Sequence, residues 1–458
     1  MKKMAARFAS LNFSSLNESL LYLNLFFLQS YLIRFQIGPY PTNLQEVLLA
    51  LQAVLFLGAV LRGGRFMEML RGLRHHWVLL TFAALSLTTI FTLPLENGLD
   101  FFRHSRFLAC ALLLSFVFAE TLRSDEQRMN GFRFLTSGAL LFGIFSLLWN
   151  LAGQNVTYDY RLQGPLDSAV YLSYYLTPFF LFSVFDLFEH HWKKEELWKN
   201  YITIALFLLL IIGTRSLGSL VGGFAVLALY FYKRSDLNFF RKGWLKVAAV
   251  FCGLILVTAI FVVKILPSLQ THNTSLGERN EIWATSVELL RDPGTVLFGL
   301  GLGQFEANYI NNVDRVLGHK PLDYNILQPH NIFLLFIFQF GILGLLFLFF
   351  CMGRLAFSLS SAEGRTHGVM GFFKKDKPFG VSAVAGFLLL YFFLHGLIDT
   401  PFFKNDLLIL MVLFMEVSFQ KRDGRPTPEA LTFGHDECGG RNQGPPGDGR
   451  SGGPVCAA

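Results

Sequence analysis

The sequence predicts an all-α, polytopic membrane protein of about twelve transmembrane helices, with a long helical loop on the extracytoplasmic side between spans nine and ten. Three observations lead there. The 458 residues are 53% hydrophobic, include 51 Phe and are only 16% charged, which is more apolar surface than a soluble fold can bury. The apolar segments are long and continuous rather than alternating, and each approaches the roughly 20 residues that a helix needs to cross the hydrocarbon, which favours helices over a barrel. The basic residues lie in short clusters between apolar runs. Despite the net charge of +7 and a pI near 9.1, that pattern fits charge that sets topology, not nucleic-acid binding.

The expected spans cover residues 17–33, 43–61, 77–95, 101–119, 131–152, 168–188, 200–214, 216–232, 245–266, 330–351, 380–398 and 403–419. With the N-terminus in the cytoplasm, the cytoplasmic connections are 62–76, 120–130, 189–200, 233–244 and 352–379, and both termini fall on the same side. That side holds 28 of the 39 Lys and Arg and the other side 11, so the positive-inside rule orients the chain this way. Residues 1–423 then form one transmembrane domain, with 267–329 inserted as a periplasmic loop. Residues 424–458, rich in Gly and Pro, form a disordered cytoplasmic tail.

Lys2, Lys3 and Arg7 precede the first apolar stretch without a small-residue cleavage site after it, which reads as a retained span. Cys110, Cys252 and Cys351 fall in spans and Cys438 and Cys456 in the tail, a distribution that offers neither a disulfide framework nor a CxxC pair. No Asp-x-Asp is present, so a metal-bound nucleotide-sugar or phosphate site of that kind is not indicated.

Arginine on the outer side is what the topology rule disfavours, so each outer Arg asks for a reason. Arg161 lies in the connection after span five, before Gly164-Pro165, and Arg215 sits in Thr214-Arg215-Ser216, a turn short enough to hold its side chain at the outer mouth. Arg279 opens a helix in the long loop. A capping-box pattern, Ser275 to Glu278, starts that helix, Ile282, Trp283, Val287 and Leu290 give it an apolar stripe, and Asp292-Pro293-Gly294 ends it. Two roles stand open for Arg279: part of an anion site beside free backbone donors, or an ion pair with Glu278 or Asp292.

Pro329 suits the first helical position of span ten, which puts His330 in the first turn. There the positive end of the helix favours neutral imidazole, a free base, while a packing or hydrogen-bonding role is the plainer alternative. Arg103, His104 and Arg106 at the outer end of span four either snorkel to head groups or add charge to the mouth. Leu300-Gly301-Leu302-Gly303 lacks the context of a nucleotide loop and reads as a tight turn.

Taken in order, Thr214-Arg215-Ser216, Arg279-Asn280-Glu281-Ile282-Trp283, Leu297-Phe298-Gly299-Leu300-Gly301 with Phe305, His330-Asn331-Ile332-Phe333-Leu334, Gly341-Ile342-Leu343-Gly344, and His395 with Asp399-Thr400-Pro401-Phe402-Phe403 resemble the O-antigen ligase and polymerase superfamily. The resemblance runs from about Arg161 to Phe403, and it departs from the usual pattern at the short turn, where Thr precedes Arg215 and Ser-Leu-Gly follows it.

The resemblance implies a membrane glycosyltransferase that takes glycan from undecaprenyl diphosphate at the periplasmic face of the bacterial inner membrane and passes it to lipid A–core, without metal or ATP. It implies an essential outer-loop His and several essential Arg; the residues expected at the catalytic centre are His330, Arg215 and Arg279, with Arg161, Asn331, Trp283 and Asp399 expected around the substrates. The residue chemistry agrees. Guanidinium groups can hold a diphosphate and the charge developing on it, and an imidazole can deprotonate an acceptor hydroxyl. Implied partners are the lipid-linked donor, the lipid A–core acceptor and membrane lipids. A polymerase or a protein O-oligosaccharyltransferase uses the same donor. A transporter or flippase calls instead for charged residues through the membrane midplane, where this chain is almost wholly Phe, Leu, Ile, Val and Gly.

Overall fold

A computed structural model describes residues 12–38, 40–92, 98–155, 157, 160–190, 196–234, 275–324, 326–361, 379–400 and 405–420. All of them belong to one compact unit, Met1–Gln420. Expected span nine, the start of the long loop and the tail lie outside the described residues.

Helices dominate: α1 (Phe13–Phe26), α2 (Leu44–Arg62), α3 (Phe66–Gly72), α4 (Trp77–Thr88), α5 (Gly98–Thr121), α6 (Asp125–Leu151), α7 (Ala169–Glu189), α8 (Leu197–Thr214), α9 (Leu217–Arg234), α10 (Ser275–Leu289), α11 (Pro293–Phe298), α12 (Phe305–Leu317), α13 (Ile332–Ser361), α14 (Val381–Gly396) and α15 (Asn405–Phe419). Among the described residues, α2, α5, α6, α7, α8 and α13 are long and apolar enough to cross a membrane, and α4, α9 and α14 are shorter apolar helices. The protein is thus a helical membrane protein.

Expected span one is shorter than its apolar run. It stops at Phe26, passes through a 3-10 turn (Leu28–Leu32) and enters a hairpin, β1 (Arg34–Ile37) against β2 (Tyr40–Asn43), antiparallel with Arg34 opposite Asn43. Asn43 then caps α2 by accepting from the Glu46 N–H at 2.9 Å. Arg106 is anchored to this hairpin, 2.8 Å from the Pro41 carbonyl and 3.6 Å from Glu46, while Arg103 lies over Phe107 and a Cβ at Gly303 would collide with His104. The side chains of that basic cluster therefore make local contacts with the hairpin, with Phe107 and with the Gly303 turn.

α15 is the axis of the bundle. Every described side chain from Asp406 to Phe419 is buried, and the helix packs on α5 and α14. α7 is nearly as enclosed and packs on α8. Two groups of charged side chains inside the bundle are paired, which offsets the cost of a charge in lipid: Arg133 grips Asp186 through two N–H groups at 2.8 and 3.1 Å, and His76 bridges Glu416 at 2.7 Å and Glu120 at 3.1 Å.

The described part of the long loop has a small core of its own. Ile282 of α10, Phe305, Tyr309 and Val313 of α12, and Ile337 and Phe338 of α13 are buried together. Each such side chain contributes about 1.5–3 kcal/mol, which fixes the loop to the bundle as a folded cap. Asp292-Pro293-Gly294 does end the first loop helix, and it also starts the next: Asp292 accepts from the Thr295 N–H at 2.9 Å and Pro293 takes the first turn of α11.

The Leu297–Gly303 segment docks where α13 is broken. Gly341 has φ 65° and ψ −158°, a conformation essentially reserved for glycine, and the freed Phe338 carbonyl accepts the N–H groups of Leu300 (2.7 Å) and Gly301 (3.2 Å). Gly299, Gly301 and Gly303 all have positive φ, so the glycine pattern is the tight turn the sequence implied. A Cβ at Gly341 would collide with the Leu297 carbonyl. Gly341→Ala is expected to destabilise the protein by at least about 1–3 kcal/mol, read as a lower melting temperature in detergent; wild-type melting would show that the break in α13 is dispensable.

Candidate functional site

Two turns and one loop helix meet at the end of the bundle where α13 begins and α14 ends. Asp399 follows α14, its N–H bonded to the His395 carbonyl at 3.1 Å, and it is 6% exposed. Its Oδ1 accepts from the Thr400 N–H at 2.9 Å and lies 2.7 Å from His330 Nδ1, while Oδ2 accepts from Arg279 Nη2 at 3.1 Å. Arg279 also donates from Nε to the Ile398 carbonyl at 3.0 Å. The carboxylate that this guanidinium grips among the described residues is neither of the candidates read from spacing, Glu278 or Asp292, but Asp399, 120 residues away.

The environment sets the charge of Asp399. Burial alone would push its carboxyl up, but His330 and Arg279 outweigh that and hold it well below the usual carboxylate range. An ionised carboxylate only accepts hydrogen bonds, so in the neutral imidazole the proton sits on Nδ1 and the lone pair on Nε2.

The route to that geometry differs from the expectation. α13 starts at Ile332, so His330 is not in a helical first turn and Pro329 is not its first residue. Asn331 provides the cap instead: its Oδ1 accepts from Phe333 N at 3.0 Å and Leu334 N at 3.3 Å, satisfying two of the donors a helix start leaves open. His330 is left-handed at φ 50°, a backbone state uncommon outside glycine, and it is held from both sides. Asn331 Nδ2 donates to the Leu397 carbonyl at 3.1 Å, and Trp283 Nε1 donates to the Pro329 carbonyl at 3.1 Å. Trp283 and Asn331 thus brace the His330 segment, and Asp399 joins Arg279 to His330.

The remaining arginines belong to a neighbouring turn. α8 ends at Thr214, Arg215 is left-handed at φ 51°, and α9 starts at Leu217, as short a connection as expected. Arg161 Nε donates to the Thr214 carbonyl at 2.8 Å, and the Leu162 N–H donates to the Gly213 carbonyl at 2.9 Å, so Arg161 and Arg215 share one surface. Between α6 and α8, beside Arg161, an apolar groove of about 440 Å³ runs along Ile144, Leu147, Leu151, Leu162, Leu209 and Gly213, with Tyr160 at its edge.

Sequence reasoning found Asp399 through its motif but not its role as the tie, because the pairing joins residues remote in the chain. An acidic residue just outside an apolar span, on the side where the topology rule disfavours Arg and yet several are found, was the available signal.

No curated protein matches the chain. Residues 201–349 match the family described as O-antigen ligase (Wzy_C), a stretch that opens in α8 and closes in α13 and so takes in Arg215, Arg279 and His330. The protein is a helical membrane protein, and about a third of it, residues 201–349, is similar to the O-antigen ligase family.

Proposed function

We propose that this protein transfers O-antigen glycan from undecaprenyl diphosphate to lipid A–core oligosaccharide, at the periplasmic face of the bacterial inner membrane and with both termini in the cytoplasm. The observation that carries the reading is the pairing of Arg279 and His330 through one buried carboxylate, Asp399. The donor sugar is already activated, since its diphosphate leaves once the negative charge on it is stabilised. Arg279, kept in place by Asp399 and the Ile398 carbonyl, and Arg215 with Arg161 on the adjoining turn supply that charge. His330 Nε2 takes the proton of the acceptor hydroxyl as its oxygen bonds to the anomeric carbon. The bond from that carbon to the diphosphate breaks on the opposite side, so undecaprenyl diphosphate departs and configuration inverts. No metal or nucleotide enters these steps. The apolar groove beside Arg161 suits the prenyl chain of the carrier.

Arg279 has Nε and Nη2 committed to two different acceptors, so charge alone does not reproduce it. Arg279→Lys is expected to lower kcat/KM for the lipid-linked donor by roughly 10-fold or more; unchanged kinetics would mean that the fork geometry is immaterial.

A polymerase of the same superfamily shares donor and chemistry, and gene deletion separates the two. Loss of a ligase leaves long polymer on the lipid carrier, whereas loss of a polymerase leaves single repeat units on the core. Long polymer still attached to lipid A after deletion would refute the ligase reading. Transfer by purified protein in detergent, with no gradient, would likewise exclude a transporter as the main activity.

A further inference from the structure

Beneath the rim lies a group of buried polar side chains that the mechanism above does not use. Ser219 of α9 donates from Oγ to Ser173 of α7 at 2.7 Å and lies 3.4 Å from His395 Nδ1 of α14. The Tyr391 hydroxyl lies 2.8 Å from that nitrogen and donates to Ser219 Oγ at 3.2 Å. Tyr174 stacks on the His395 ring with centroids 4.2 Å apart, and a Cβ at Gly218 would come within 2.8 Å of His395 Nε2. His395 is 2% exposed. An ionisable side chain inside a membrane bundle costs free energy, so its presence asks for a role.

Both turns of the candidate site stand on this group. Ser216, next to Arg215, donates from Oγ to Ser219 Oγ at 3.2 Å. On the other side the His395 carbonyl accepts the N–H groups of Ile398 at 3.0 Å and Asp399 at 3.1 Å. Apolar packing at this crossing would let α9 slide against α14, whereas directional hydrogen bonds set one register.

We infer that His395 is a positioning residue: through Ser219 and Tyr391 it keys α9 to α14 and so fixes the Arg215 turn relative to Asp399, Arg279 and His330. The role rests on the function proposed above, because it places two halves of that site. Asn at 395 can keep a hydrogen bond to Ser219 or Tyr391, and Leu cannot. Tyr391→Phe removes one hydroxyl from the group while keeping the ring.

The test uses the purified full chain and single-turnover transfer at saturating lipid-linked donor. His395→Leu is expected to slow transfer by roughly 30-fold or more, Tyr391→Phe to slow it in the same direction, and His395→Asn to recover it to within about 3-fold of wild type. Arg215→Ala should cost roughly 100-fold in the native background and less than about 5-fold in His395→Leu, because an arginine already displaced has little left to lose. Losses that multiply, or an Asn variant as slow as Leu, would overturn the inference. An independent readout needs no substrate: nitroxide labels at the exposed positions Ile212 and Leu397 should give one narrow distance distribution in the native and His395→Asn proteins and a broader or shifted one in His395→Leu. An unchanged distribution in His395→Leu would refute the positioning role even if the protein proved to transfer nothing, and absence of transfer by the native protein would count against the proposed function alone.

Discussion

Asp399→Asn is expected to reduce transfer by about 10³–10⁴-fold while the protein still inserts and is expressed. The substitution keeps shape and changes two charge relations at once. An amide at 399 can present its NH₂ to His330 Nδ1, which places the imidazole proton on Nε2, where the acceptor hydroxyl needs a lone pair. It also leaves the Arg279 guanidinium, whose side chain is 15% exposed, without its carboxylate. Removing one member of such a pair costs about 3 kcal/mol, so the loop cap should also loosen from the bundle, visible as faster proteolysis within α10. Asp399→Glu, which keeps the charge but lengthens the reach, should fall between Asn and wild type.

The pH dependence follows from the same carboxylate. Its pKa is depressed in the folded protein, so its contribution to stability is complete above the unfolded carboxylate value of about 3.9 and is lost only as pH falls through the lower folded value. Between pH 5 and 8, Asp399 therefore stays ionised. A fall in transfer rate as pH drops toward 5 belongs to another group, and the loop cap should stay docked throughout. Detachment of the cap within that window would mean that Asp399 is not held in the way its contacts imply.

His330→Ala is the second variant with a large expected effect, about 10²–10⁴-fold in rate at saturating donor. Donor affinity should change little, because Arg215, Arg161 and Arg279 remain and Arg279 keeps both Asp399 and the Ile398 carbonyl. His330→Gln is the sharper form of the test: it preserves polarity but has no basic nitrogen. If His330→Gln turned over at the native rate with donor affinity intact, the base would have to be sought elsewhere at the rim.

The helical membrane class was legible because it rests on composition and segment length, which tertiary context does not override. The Arg215 turn and the end of α10 were legible because a short connection and a Pro-Gly stop act locally. His330 was found as a candidate but wrongly set in its element, since Pro329 suits a first helical position while Asn331 in fact supplies the cap. The pairing of Arg279 with Asp399 was not legible. Spacing arguments reach only near neighbours such as Glu278, and nothing local says that the end of α14 returns to the loop helix. The break at Gly341 was quoted only as part of a motif; its cause is the Leu297–Gly303 segment lying against α13, a contact that no window of sequence contains.

A kinetic cycle over His330 and Asp399 tests most directly whether the two act as one unit. Single-turnover transfer at saturating donor is measured for the native protein, His330→Ala, Asp399→Asn and the double variant, in detergent with chelator and without nucleotide. If Asp399 works on the chemical step through His330, the double variant should be no more than about 3-fold slower than the slower single. Losses that multiply would contradict that coupling and show that the carboxylate and the imidazole serve separate steps.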